Sequence, residues 1–112
     1  MDVLIFDSKE KMGEEAAKKG ASLIRDAITQ KGEANIILAT GASQFEMLSF
    51  LVQEDVDWAK VTAFHLDEYI GLPISHPASF RKYLKGRFAD KVPIRKFHYV
   101  NGEGNPIEEC KR

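Results

Sequence analysis

Asn35, Ile36, Ile37, Leu38 and Ala39 form the stretch that most limits what this chain can fold into. The run is apolar without the polar alternation of a half-exposed strand. That pattern belongs to a parallel strand buried on both faces. A second such run, residues 61–66, follows after an intervening segment that reads as helical. Shorter apolar runs at 3–6 and 97–100 complete a strand, helix, strand, helix, strand, helix, strand order. Alternation of this kind implies an α/β fold: a Rossmann-like parallel sheet with right-handed crossovers and helices on both faces.

Residues 9–31 carry apolar or small residues at helical spacing, namely Met12, Ala16, Gly20, Leu23, Ile24, Ala27 and Ile28. Asp7 or Ser8 can cap this helix, and Gly32 stands where it should stop. Residues 44–52 read as a second helix. A third follows Gly71, Leu72 and Pro73, with Ser75 or His76 as its cap, Pro77 in its first turn and Phe80, Tyr83, Leu84 and Phe88 as its apolar stripe. Trp58 lies in a polar connection and reads as packing. Residues 101–106 form a turn, and 107–112 open another helix within which the chain stops, as expected of the leading part of a longer three-layer domain.

The balance of charges narrows the function classes. With 112 residues, 44% apolar, 29% charged and a net charge of −1, the chain reads as one small globular domain. It has no basic block, so neither nucleic acid nor an anionic membrane is favoured as a partner. Cys110 is its single cysteine, which excludes an internal disulfide framework and fits a reducing, cytoplasmic setting. No apolar run approaches the roughly 20 residues of a membrane span. His65, His76 and His98 lack ligand spacing, so no metal is expected.

Two places could carry chemistry. Thr40, Gly41, Ala42 and Ser43 join a strand to a helix, where free amides and the positive end of the helix dipole suit an anion. Ser43 and Glu46 can equally form a capping box that needs no ligand. Asp67, Glu68 and Tyr69 end the strand at 61–66, at the edge where open α/β sheets place their sites. A carboxylate there can serve as a general base. Adjacent side chains on an extended segment point to opposite sides, so one acid can face a cleft while the other makes structural contacts. The plain alternative is two solvated loop acids.

The quartet at 40–43, the run Phe64-His65-Leu66-Asp67-Glu68-Tyr69-Ile70-Gly71-Leu72-Pro73 and the run His76-Pro77-Ala78-Ser79-Phe80 together resemble the glucosamine-6-phosphate deaminase/isomerase family, whose superfamily includes 6-phosphogluconolactonase. The resemblance extends from the first helix to the Asn101-Gly102 loop, nearly the whole chain, and makes residues 1–112 the N-terminal part of a longer sugar-phosphate isomerase/deaminase domain. It implies conversion of glucosamine 6-phosphate and water to fructose 6-phosphate and ammonia in amino-sugar catabolism, without metal or organic cofactor. It implies a phosphate loop at Thr40, Gly41, Ala42 and Ser43, an enolising base at Asp67, and supporting roles for Glu68 and Tyr69. Ala42 and Gln44 depart from the family loop, which carries a hydroxyl residue or glycine and then Thr-Pro. His65 replaces a frequent Asn. The ring-opening residues of the family cannot be placed on this chain, so it should be catalytically incomplete. A 6-phosphogluconolactonase-like hydrolase and a non-catalytic sugar-phosphate-binding module are the alternatives; Tyr69, where lactonases usually carry Arg, favours the isomerase. A sheet edge left exposed in a half-domain would also favour homo-oligomers.

Overall fold

The computed structural model describes all 112 residues. Three parallel strands form one sheet in the order β1-β2-β3: β1 (Ala34–Leu38), β2 (Val61–His65) and β3 (Lys96–His98). The helices are α1 (Lys9–Lys31), α2 (Phe45–Leu51), α3 (Phe80–Leu84) and α4 (Pro106–Lys111). The α/β reading with a Rossmann-like parallel sheet holds. No helix is long and apolar enough to cross a membrane.

α1 starts at Ser8, whose hydroxyl accepts from the Lys11 amide at 3.1 Å, and ends at Gly32 in a left-handed conformation, φ 80°. Its buried face differs from the expected stripe. Gly13, Ala17, Ala21 and Ile24 are buried, whereas Met12 and Leu23 are half exposed. The face is selected by closeness of approach: α1 runs so near α2 that a Cβ on Gly13 would stand 2.6 Å from the Glu46 Cβ and 2.9 Å from the Met47 nitrogen. Small residues win the interface because larger ones cannot enter it.

Strand register sorts the sheet into two unequal faces. Ala34, Leu38, Val61, Ala63 and His65 are buried on one side with Leu48, Leu51, Leu84 and Phe88. Trp58 joins this core, its ring edge-on to Phe88 at 5.3 Å. On the other side Ile37, Phe64 and Leu66 remain exposed. Helical cover reaches that side at one border, where Glu109 and Cys110 of α4 and the following Arg112 share a cleft with Phe64, Leu66 and His98.

Three local expectations fail for physical reasons. Residues 3–6 form no strand, because they have no ladder neighbour; Val3, Leu4 and Ile5 are exposed instead. Ser43 and Glu46 make no capping box: a 3-10 turn at Ala42–Gln44 feeds α2, and no side chain caps it. α3 begins later than expected, at Phe80, with Ser79 as its cap accepting from the Lys82 amide at 3.3 Å. His76 closes the preceding turn by accepting from the Ala78 amide at 3.0 Å.

The helix contact supplies a test. Gly13→Ala improves helix propensity by about 1 kcal/mol, but the new methyl meets backbone that cannot swing away, and overpacking of this kind costs about 1–3 kcal/mol. Urea denaturation should show a net loss of up to about 2 kcal/mol. Gly20→Ala, with no atom within 4 Å of the added carbon, should be neutral or stabilising in the same assay.

Candidate functional site

Both sequence-predicted segments sit at the C-terminal edge of the sheet. β1 pairs with β2 up to Leu38 and His65, and the Leu66 amide continues the ladder to the Leu38 carbonyl at 3.2 Å. The chain leaves β1 into Thr40, Gly41, Ala42 and Ser43, and leaves β2 into Asp67, Glu68 and Tyr69, so the two segments emerge side by side.

Gly41 holds φ 138° and ψ 163°, a backbone region that side chains other than hydrogen rarely permit. Its carbonyl accepts twice, from the Gln44 amide at 3.0 Å and from the Tyr83 hydroxyl at 2.8 Å. Gly41 and Ala42 line a shallow cleft of about 210 Å³ with Phe45, Tyr69, Phe80 and Tyr83. Tyr69 therefore meets the loop after β1, its ring packed 4.9 Å from that of Phe80. The Thr40 hydroxyl is buried and has no hydrogen-bond partner. Ser43 is exposed.

The two acids have opposite environments. The Glu68 side chain is 0% exposed and its carboxylate accepts five bonds. The donors are the Tyr69, Phe80 and Arg81 amides, the Ser79 hydroxyl and the Arg81 Nε, at 2.8–3.2 Å. Burial alone would raise its pKa. The Arg81, Phe80 and Tyr69 amides and the Ser79 hydroxyl overcome that and hold it at about 2. Asp67 is exposed, makes no hydrogen bond and does not line the cleft at Gly41.

Arg81 is the residue that sequence reasoning missed. It is 7% exposed and donates to Glu68, to the Leu72 carbonyl at 2.9 Å, to Glu103 at 2.9 Å and to Asn101 at 3.3 Å. One guanidinium thus joins the segment after β2, the start of α3 and the turn after β3. The Gly71 amide adds a bond to the Gly102 carbonyl at 2.6 Å. The available signal was an arginine directly after Phe80 in an otherwise apolar stripe.

His65 is 6% exposed. Its Nδ1 accepts from the Val100 amide at 3.4 Å, and its Nε2 is buried without a partner. Burial lowers its pKa against the opposing pull of Glu68 and Asp67. Neither His76 nor His98 joins it, and no three His, Cys, Asp or Glu side chains converge as a metal site.

Residues 7–112 match the family described as glucosamine-6-phosphate isomerases/6-phosphogluconolactonase. The chain belongs to that family. A glucosamine-6-phosphate deaminase from Bacillus cytotoxicus is 31% identical over 113 aligned residues, covering 100% of this chain and 42% of the relative. One from an Exiguobacterium species is 34% identical, covering 100% and 43%. Among solved structures, a monomeric glucosamine-6-phosphate deaminase of the NagB superfamily superposes with a TM-score of 0.82 at 29% identity, over 100% of this chain and 48% of that one. A 6-phosphogluconolactonase from Thermotoga maritima shares the fold, with a TM-score of 0.84 at 17% identity, over 97% of this chain and 49% of that one. The chain thus spans less than half the length of these relatives.

The Glu68 carboxylate makes stability depend on pH in a defined direction. Its pKa is depressed in the folded state, so its contribution is fully present above about pH 4.5 and is lost as pH falls toward 2. That loss amounts to about 3 kcal/mol. His65, also depressed by burial, adds a loss in the same direction as pH falls below 6.5. Glu68→Gln should cost about 3 kcal/mol at neutral pH, since it removes the buried one of the two carboxylates that pair with Arg81 and replaces an acceptor oxygen with an amide that cannot take the same bonds. It should also flatten the stability profile between pH 4.5 and 2, as read by denaturation at fixed pH values.

Proposed function

We propose that this chain supplies the phosphate loop and the proton-transfer base of a deaminating aldose–ketose isomerase acting on glucosamine 6-phosphate. The observation that carries the reading is the contrast between the two adjacent acids. Glu68 is spent on structure, with every donor around it already committed, while Asp67 is free and exposed beside it. A base must reach its substrate proton before its pKa matters. Asp67 is positioned for that because its neighbour anchors the segment.

In this reading the sugar phosphate docks at Thr40, Gly41, Ala42 and Ser43, where backbone amides take the phosphate oxygens. Ala42 has no hydroxyl to offer, so the amides and the unused Thr40 hydroxyl carry the contact. Asp67 removes the C2 proton of the open-chain amino sugar, and the electrons shift toward the C1 carbonyl to give an enol-type intermediate. The same carboxylate returns the proton at C1, leaving an imine at C2. Water adds there, ammonia leaves, and fructose 6-phosphate results. Tyr69 forms part of the cleft wall next to the loop. Ring opening is assigned to residues outside this chain, in keeping with the relatives' greater length.

The fold does not separate this reaction from a lactonase, since structures of both names superpose on the chain. The identities of 31% and 34% are with proteins named deaminase, and this supports the isomerase reading.

The test is ammonia release from glucosamine 6-phosphate by the longest protein that contains this sequence, compared with its Asp67→Asn variant. The wild-type protein should release ammonia, and the variant should lose roughly 100-fold or more in kcat while unfolding at the same temperature. Near-normal turnover in the variant would remove Asp67 from the reaction. No release by either would refute the isomerase.

A further inference from the structure

The wall of the small cleft contains a side chain that neither the family reading nor the base assignment uses. Tyr83, on α3, reaches across to the loop after β1 and donates to the Gly41 carbonyl at 2.8 Å. Its ring stacks on Phe45 at 5.6 Å and 24°, and the Arg87 guanidinium lies 3.7 Å over the Phe45 ring and 5.3 Å from that of Tyr83. We propose that Tyr83 is a positioning residue for phosphate binding: its hydroxyl holds the Gly41 peptide in the orientation that aims the following amides, Ala42 and Ser43, at the anion.

At φ 138° Gly41 occupies a region that is open to glycine along with many others, so glycine alone does not select it. Local structure contributes one restraint, the Gln44 amide bond to the Gly41 carbonyl. The Tyr83 bond is the long-range one, spanning 42 positions of sequence. It ties the loop to α3, whose start is anchored in turn by Glu68. The phenol is held by aromatic contacts on Phe45, so it arrives with little freedom to lose. Burial raises its pKa, which keeps it a donor at neutral pH. The loop and the segment bearing Asp67 are thereby referenced to the same helix, which fixes the distance between phosphate and base. This inference rests on the proposed sugar-phosphate site.

Tyr83→Phe removes the hydroxyl and keeps both the stacking ring and the net charge. The longest protein that contains this sequence and its Tyr83→Phe variant are titrated with fructose 6-phosphate and with inorganic phosphate, following the Ala42 and Ser43 amide resonances by NMR. The expected result is a roughly fivefold weaker affinity in the variant, the equivalent of one hydrogen bond. Gly41 amide-to-Hα couplings should move toward averaged values, while resonances outside residues 40–45 and 83 superimpose. These couplings report the loop conformation directly, which a general loss of stability would not change. Equal affinity and unchanged couplings in the two proteins would overturn the positioning role and leave the proposed function standing. Saturable shifts absent from Ala42 and Ser43 in the unaltered chain would overturn the phosphate site and this inference together.

Discussion

The carboxylate of Glu68 is the contact on which the working edge of this molecule depends. It enters a fully buried position at the end of β2, where an isolated charge would be prohibitive. Five donors make it tolerable, and they come from Tyr69 and from the first residues of α3. α3 has only five α-helical residues and cannot be stable in isolation. Its start is therefore specified by Glu68 and by the Ser79 cap. Arg81 then extends the same network to Leu72, Asn101 and Glu103, so that segments far apart in sequence share one guanidinium.

That network explains why two neighbouring acids behave so differently. On an extended backbone Asp67 and Glu68 project to opposite sides. The longer side chain reaches the α3 amides and is consumed by them, while the shorter one is left at the exposed rim. Bulk and charge of residue 68 thus fix the placement of residue 67. A loop with two solvated acids would leave both carboxylates free to wander, and the base proposed at Asp67 would tolerate little of that.

Much of the architecture was legible because it follows from periodicity and from local backbone chemistry. The runs around Ile36 and Ala63 are parallel strands, as their apolar, uninterrupted pattern implies, but the burial on both faces that this pattern also implies is not met: Ile37 and Phe64 stay exposed because little helical cover reaches their side of the sheet. Ser8 and Gly32 bound α1 because their side chain and backbone satisfy orphan groups at its ends. The likeness of the Phe64 to Pro73 segment to a known family pointed to the same edge. What was illegible depended on tertiary geometry. Periodicity cannot tell that α1 presents Gly13, Ala17 and Ala21 rather than Met12 and Leu23, because the choice is made by how closely α2 approaches. The Ser43–Glu46 pair has the spacing of a capping box, yet the Ala42–Gln44 turn takes the helix entry in another direction. Arg81 in an apolar stripe has no visible partner until the loops after β2 and β3 converge on it.

The one-sided sheet bears on the site as well. Ile37, Phe64 and Leu66 expose apolar surface on the face opposite the core, and Phe64 finds only the His98 ring, stacked at 4.8 Å. Each large apolar side chain left in water forfeits about 1.5–3 kcal/mol of burial. The stability of the chain is therefore concentrated on the other face, in the contact of α1, α2, Leu84 and Phe88 with the sheet. His65, the last residue of β2, and Thr40, two residues past the end of β1, carry the unpartnered buried polar atoms. Rigid packing directly beneath the rim, together with the Glu68–Arg81 network beside it, leaves Asp67 and the loop at Gly41 exposed on a firm base. Pre-organised groups on a fixed platform are what a proton-transfer site requires, because any reorganisation left for the moment of reaction would add to its barrier.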